Sequence, residues 1–170
     1  MGLEEESGIT ADDVKLALKG HVKEGHKFNS TAPLSDSDTG YNPSPCADDR
    51  VHVLVWVCSA NSPKINESVL KKMRDIRDAA SDLDIPQMAL LTKVDEACRE
   101  TEKDLKDVYS SKHVKQKMAD FSSALGVPLN CILPVKNYSE EIAIDDDVDS
   151  LILSALRLMI DLGDDFINNM

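Results

Sequence analysis

Apolar residues gather in three short runs along this chain, and between the runs they recur every three or four positions. Val51-His52-Val53-Leu54-Val55-Trp56-Val57-Cys58 is rich in β-branched side chains and predicts a strand that is apolar on both faces. Met88-Ala89-Leu90-Leu91 predicts a second strand over 87–92. Leu129 to Val135 reads as a third, and Pro134, which has no N–H for a ladder, puts that strand at an edge or ends it. Helical spacing predicts a helix from Asn66 to Ala80, with Val69, Met73, Ile76 and Ala80 on one face and Lys71, Lys72, Arg74 and Asp75 opposite. Residues 101–125 read as two helical pieces. The phase of Leu105 and Val108 breaks at Ser110-Ser111 and restarts with Val114, Met118, Phe121 and Leu125, with Gly126 at the C-terminal cap position. A last helix is predicted from Val148 to Leu162, with Asp145, Asp147 and Asp149 at its positive end.

Strand, helix, strand, helix, strand, helix from residue 51 onward predicts an α/β fold, part of a doubly wound parallel sheet with right-handed crossovers and helices on both faces. In that topology the loops after Cys58, Thr92 and Val135 open on one edge of the sheet, where such folds bind ligands. Residues 51–170 are therefore expected to form the α/β domain, with 1–50 as its lead-in. Within the lead-in, Thr10-Ala11-Asp12-Asp13 resembles a capping box and predicts a helix from Ala11 to Lys19. Residues 29–50 are rich in Ser, Asp, Pro, Gly and Asn and predict a long loop.

The net charge of −12 over 170 residues argues against a nucleic-acid backbone or an anionic membrane as main partner. No apolar run has the length of a membrane span. Cys46, Cys58, Cys98 and Cys131 have no metal-binding or redox spacing and fit a reducing compartment, with Cys58 and Cys131 as small core residues. The acidic start is no secretory signal and misses the myristoylation pattern, because Glu6 holds the Ser/Thr position. These features predict a cytoplasmic protein. Two near-motifs fail. Gly20 to Lys27 approaches a P-loop but has His26 in place of the lysine and no strand before it, which leaves His21 and His26 as solvated residues. Asp145-x-Asp147-x-Asp149 begins like a calcium loop, but Ser150 replaces the required Gly and Leu156 the Glu.

Thr92-Lys93-Val94-Asp95 carries the most specific chemistry. Past the end of a buried strand, Asp95 can accept two N–H bonds from the edge of a guanine ring, while the stem of Lys93 lies along the base. Adenine offers no matching pair of donors. The loop Lys136-Asn137-Tyr138 follows the third strand and is expected to converge on the same base. A phospho-acceptor receiver domain would also place a Thr and a Lys at these strand ends. It fails on its nucleophile, since the preceding strand ends Cys58-Ser59-Ala60-Asn61 without an Asp.

The chain resembles the interferon-induced protein 44 and 44-like family over nearly its whole length. The resemblance is carried by Met1-Gly2-Leu3, by Leu18-Lys19-Gly20 with Phe28-Asn29-Ser30, and by Ala89 to Asp95. Val135-x-Asn137-Tyr138 and the tail from Leu151 to Arg157, with Asp164-Asp165-Phe166, complete it. It implies the second half of a P-loop GTPase-like domain in a protein of the antiviral response. By the same resemblance Gly2 is the glycine of the Asp-x-x-Gly motif near the γ-phosphate, and the phosphate-binding loop lies upstream of Met1. The expected cofactor is GTP or GDP, with magnesium only alongside that upstream half, and no competent hydrolysis by this chain alone. The alternative expectation is a non-enzymatic interaction scaffold with a protein partner.

Overall fold

The three apolar runs pair as three parallel strands in the order β1 (Leu54–Ser59), β2 (Gln87–Thr92), β3 (Ile132–Pro134). The computed structural model describes residues 2–3, 8–62, 64–139 and 141–170. The chain divides into two units, Met1–His52 with Ile65–Pro86, and Val53–Lys64 with Gln87–Met170.

The sheet lies in the second of these. β2 is bonded on both sides, with Trp56 opposite Ala89 and Ser59 opposite Thr92 on one flank, and Leu91 opposite Pro134 on the other. The expected parallel arrangement is therefore present, and Pro134 stands in an edge strand as its missing N–H requires. β1 begins three residues later than its sequence suggests. The Val51 N–H is already committed to the Leu18 carbonyl at 3.3 Å, so the first residues of the run serve another contact. Its two faces also differ. Trp56 is buried and donates its indole N–H to Gln87 Oε1 at 3.3 Å, whereas Val57 is 65% exposed. The predicted third strand is shortened from 129–135 to three residues, because Leu129–Cys131 forms a 3₁₀ turn closed by the Cys131 N–H on the Pro128 carbonyl.

After β2 come two short helices, α3 (Val94–Ala97) and α4 (Arg99–Lys103), then a 3₁₀ turn over Leu105–Tyr109 and α5 (Lys112–Leu125). The break falls at the predicted serines. Ser111 caps α5 by accepting from the Val114 N–H, and Gly126 ends it at φ 79°, a left-handed conformation that glycine adopts without steric cost. The last helix, α6, runs over Asp146–Asn168, well past the expected end at Leu162. Asp145 caps it through the N–H groups of Asp147 and Val148. Gly163 does not stop it, since one glycine costs only about 1 kcal/mol in a long helix. Buried Leu91, Val94, Val108, Val114 and Leu151 form one cluster with Ala60, so β2, α3, the 3₁₀ turn, α5 and α6 meet in a single core.

In the other unit, α1 (Ala11–Leu18) is capped by Thr10, whose Oγ1 accepts from the Asp13 N–H at 3.1 Å. Asp13 is itself buried and accepts from the Leu34 N–H at 2.8 Å, which ties down the polar loop. Gly20 turns the chain at φ 84° in a space where a Cβ would sit 2.9 Å from the Asp49 backbone. That is a packing turn and not a phosphate cradle. His21 is not the solvated residue expected. It stacks on Tyr41 with ring centroids 5.1 Å apart, and its Nδ1 lies 2.8 Å from the Asn42 carbonyl. The helix α2 (Glu67–Asp82) buries Leu70, Met73, Ile76 and Ala80, the predicted face except that Leu70 is buried where Val69 was expected and Val69 is half-buried.

Truncating Leu91, which is 4% exposed at the centre of the cluster, should cost about 3 kcal/mol, the usual toll of a core Leu→Ala change. Urea titration of Leu91→Ala checks this, and a loss under about 1 kcal/mol would mean that the cluster does not hold the sheet.

Candidate functional site

Three loops leave the carboxyl ends of β1, β2 and β3, and hydrogen bonds join them where they leave. The Ala60 N–H donates to the Thr92 carbonyl at 2.7 Å, and the Val135 N–H to the Leu91 carbonyl at 2.9 Å, so each ladder continues one step past the sheet. Thr92 turns its hydroxyl back to the Cys58 carbonyl at 3.3 Å, serving the sheet rather than the open edge.

Lys93 then takes φ 58°, ψ 39°, the left-handed region, where a side chain with a Cβ costs about 1–2 kcal/mol. The strained residue turns the chain from strand into α3 and leaves Asp95 in the first turn of that helix, half-buried. Two further bonds hold this turn. Glu96 binds the Lys93 ammonium at 3.2 Å and accepts from Asn61 Nδ2 at 2.7 Å, linking the loops after β1 and β2. Thr101, 2% exposed, places its hydroxyl 2.5 Å from the Val94 carbonyl and so fixes the turn from behind.

The third loop is closed by a carboxylate. Glu141 takes the Lys136 ammonium on one oxygen at 2.5 Å and the Ser139 N–H on the other at 2.8 Å. This bond to Glu141 is the main reason the Lys136 amine is held above its ordinary pKa of 10.5, and Asp95 and Asp145 add to it through space. The charge of Asp95, in the loop after β2, thus reaches Lys136 in the loop after β3. Tyr138 secures the far end, its hydroxyl 2.7 Å from Asp149 Oδ1 while accepting from the Asp145 N–H at 2.9 Å. Asn137 is left exposed between these two anchors. Gly2 lies in the other unit, where its carbonyl accepts from the Ile9 N–H at 2.9 Å.

Asn61, Glu96, Thr101 and Glu141 escaped the reading of the sequence. Only Glu96 carried a local signal, its spacing of three from Lys93 on a helix. An open depression of about 490 Å³ lies elsewhere, lined by Cys98, Arg99, Glu100, Ser110, Lys112 and His113. None of the tetrad residues borders it. Cys98 there is held below the usual thiol range by the Ser111 hydroxyl 3.4 Å away, whereas burial pushes Cys58 up to about 11. Among the described residues no group of three or more His, Cys, Asp or Glu is placed to hold a metal ion. Among the same residues no helix is long and apolar enough to cross a membrane.

Interferon-induced protein 44 of Mus musculus is 35% identical to this chain over 171 positions, covering all of it. The chain is a homologue of the interferon-induced protein 44 and 44-like proteins. The human 44-like protein is 31% identical over the full chain, and human interferon-induced protein 44 is 32% identical over 98% of it. The chain spans about two fifths of the length of these relatives, 38 to 40%. No family model matches the chain, and no solved structure does.

Two substitutions separate what orders the site from what strains it. Glu141→Gln should speed amide hydrogen exchange over 136–139 while leaving β2 protected, because the amide can keep the Ser139 bond but loses the ion pair with Lys136. In the parent chain the contribution of this pair is complete below pH 10.5 and fades as pH rises through the elevated Lys136 value. Lys93→Gly should raise stability by about 1 kcal/mol by relieving the left-handed residue, read as a higher urea midpoint.

Proposed function

We propose that this chain is the guanine-recognising part of an interferon-induced, GTP/GDP-binding protein of the innate immune response. The observation that carries the reading is the placement of Thr92-Lys93-x-Asp95 at the carboxyl end of the central strand, with the Lys136–Tyr138 loop on the next strand beside it. Asp95 would accept from the ring N–H and the exocyclic amine of guanine, and the Lys93 stem would cover one face of the base. The backbone of the Lys136–Tyr138 loop would meet the carbonyl edge. Similarity to proteins named interferon-induced supports the biological setting.

The electrostatics of the site favour a base over a phosphate. Asp95, Glu96 and Glu141 stand against Lys93 and Lys136, and both ammonium groups are already paired. An anionic phosphate gains little there, whereas the donor edge of a neutral ring meets a carboxylate. Two charge-assisted bonds with packing on the lysine stem supply about −4 to −6 kcal/mol, a dissociation constant of about 0.04 to 1 mM. Phosphate binding and hydrolysis would then need groups from the remainder of a longer protein.

Titrating GDP and ADP into the labelled chain and following amide shifts by NMR tests this. GDP should move the resonances of 92–96 and 136–138 in the sub-millimolar range, and ADP should not. Asp95→Ala should remove about 3 kcal/mol and with it the preference. Asp95→Asn should lose guanine and tolerate xanthine, whose extra carbonyl meets the amide donor. Unchanged guanine preference in Asp95→Ala would rule out the base clamp and leave an interaction scaffold in its place.

A further inference from the structure

Helix α6 has two apolar faces where a helix on the edge of a domain needs one. Val148, Leu151 and Ala155 form the buried face. Leu153, Leu156, Ile160 and Ile167 form the other, and they are 62, 44, 63 and 50% exposed. At 100° per residue these four lie within about 60° of one another, a seam about 21 Å long from end to end. Single exposed leucines are ordinary on a protein surface, but four large aliphatic side chains in line on one helix are an interaction patch.

The border of the seam says what fits it. α6 carries Asp146, Asp147, Asp149, Asp161, Asp164 and Asp165 against the single cation Arg157, which is itself spent on Asp161 at 3.8 Å. On the helical projection Asp149 falls in line with the seam at one end, and Asp164 borders it between Ile160 and Ile167. We propose that this face of α6 docks an amphipathic helix of a partner protein, one with an aliphatic seam flanked by Lys and Arg. Helix-on-helix packing reads anchors at this spacing, and opposite charges along the flanks set the orientation. A second copy of the chain fits less well, since it would set the aspartates beside the seam, Asp146, Asp149 and Asp164, against their own copies in a molecule of net charge −12. An anionic lipid surface is disfavoured on the same ground.

Three synthetic 18-residue peptides test the proposal by fluorescence anisotropy against the whole chain. One has a Leu/Ile seam with Lys flanks, the second has the same composition scrambled to destroy the seam, and the third keeps the seam with Glu flanks. The first should bind at least tenfold tighter than the second and weaken as salt is raised, and the third should not bind. Ile160→Asp and Leu153→Asp, both at exposed positions that fold does not require, should reduce the first peptide to the level of the scrambled one. Equal binding of the scrambled peptide would reduce the effect to bulk charge and overturn the proposal. So would equal binding of the Glu-flanked peptide, indifference to both variants, or sedimentation showing that the chain alone dimerises through this face.

Discussion

Everything at the carboxyl edge of the sheet hangs on β2, the strand with ladder partners on both sides. Its carbonyls do not stop at the sheet. Leu91 and Thr92 accept from Val135 and Ala60, residues that already belong to the loops of the neighbouring strands. A parallel sheet aligns its carboxyl ends by topology, but topology alone leaves loops free to splay. Here the two extra bonds convert the end of one strand into the anchor for three loops. The core repeats the arrangement, because Leu91, just before the tetrad, and Val94, within it, share a cluster with Val108, Val114 and Leu151. A shift of one residue in β2 would exchange Leu91 for Leu90 in the core and move Asp95 off its edge.

Each loop is then fixed by a different chemistry. The turn after β2 is held by a strained Lys93, by Glu96 reaching to Asn61, and by Thr101 from beneath. The turn after β3 is held by Glu141 and by Tyr138 on Asp145 and Asp149. None of these contacts needs a ligand to form. A site with few binding groups gains most from such ordering, because the entropy of fixing its side chains is already met by folding. The left-handed Lys93 is consistent with this, as strain of that kind persists where surrounding contacts over-determine the backbone.

The strands, the helical break at Ser110-Ser111, the Gly126 cap and the position of the tetrad were legible because each depends on local chemistry or on a short period. What was not legible depends on partners far away in the chain. Nothing in Val51 announces that its N–H will go to Leu18, and so β1 starts late. His21 reads as a polar surface residue until Tyr41 closes over its ring. Asn61 and Glu96 are 35 residues apart, and only the parallel pairing of β1 with β2 brings them together. The end of α6 was misjudged for a different reason. Gly163 is an adequate stop signal by itself, but a helix already capped at Asp145 and packed through Leu151 and Ala155 absorbs its cost.

Charge links the carboxyl edge of the sheet and the exposed face of α6. At the sheet edge the carboxylates outnumber the ammonium groups, and the lysines are held by Glu96 and Glu141 rather than offered to solvent. On α6 the aspartates outnumber the single arginine, which is paired as well. In both places an anion arriving from solution meets a net negative field, and a group that donates hydrogen bonds or carries positive charge does not. The same bias would disfavour a phosphate and, on the two readings proposed, would suit a purine's N–H edge at one site and a cationic helix at the other. A nucleotide held only by its base would leave its phosphates projecting from that edge, so tight binding requires a cationic cradle from outside these residues. Selectivity for the base and affinity for the phosphates would then be supplied by separate parts of the polypeptide.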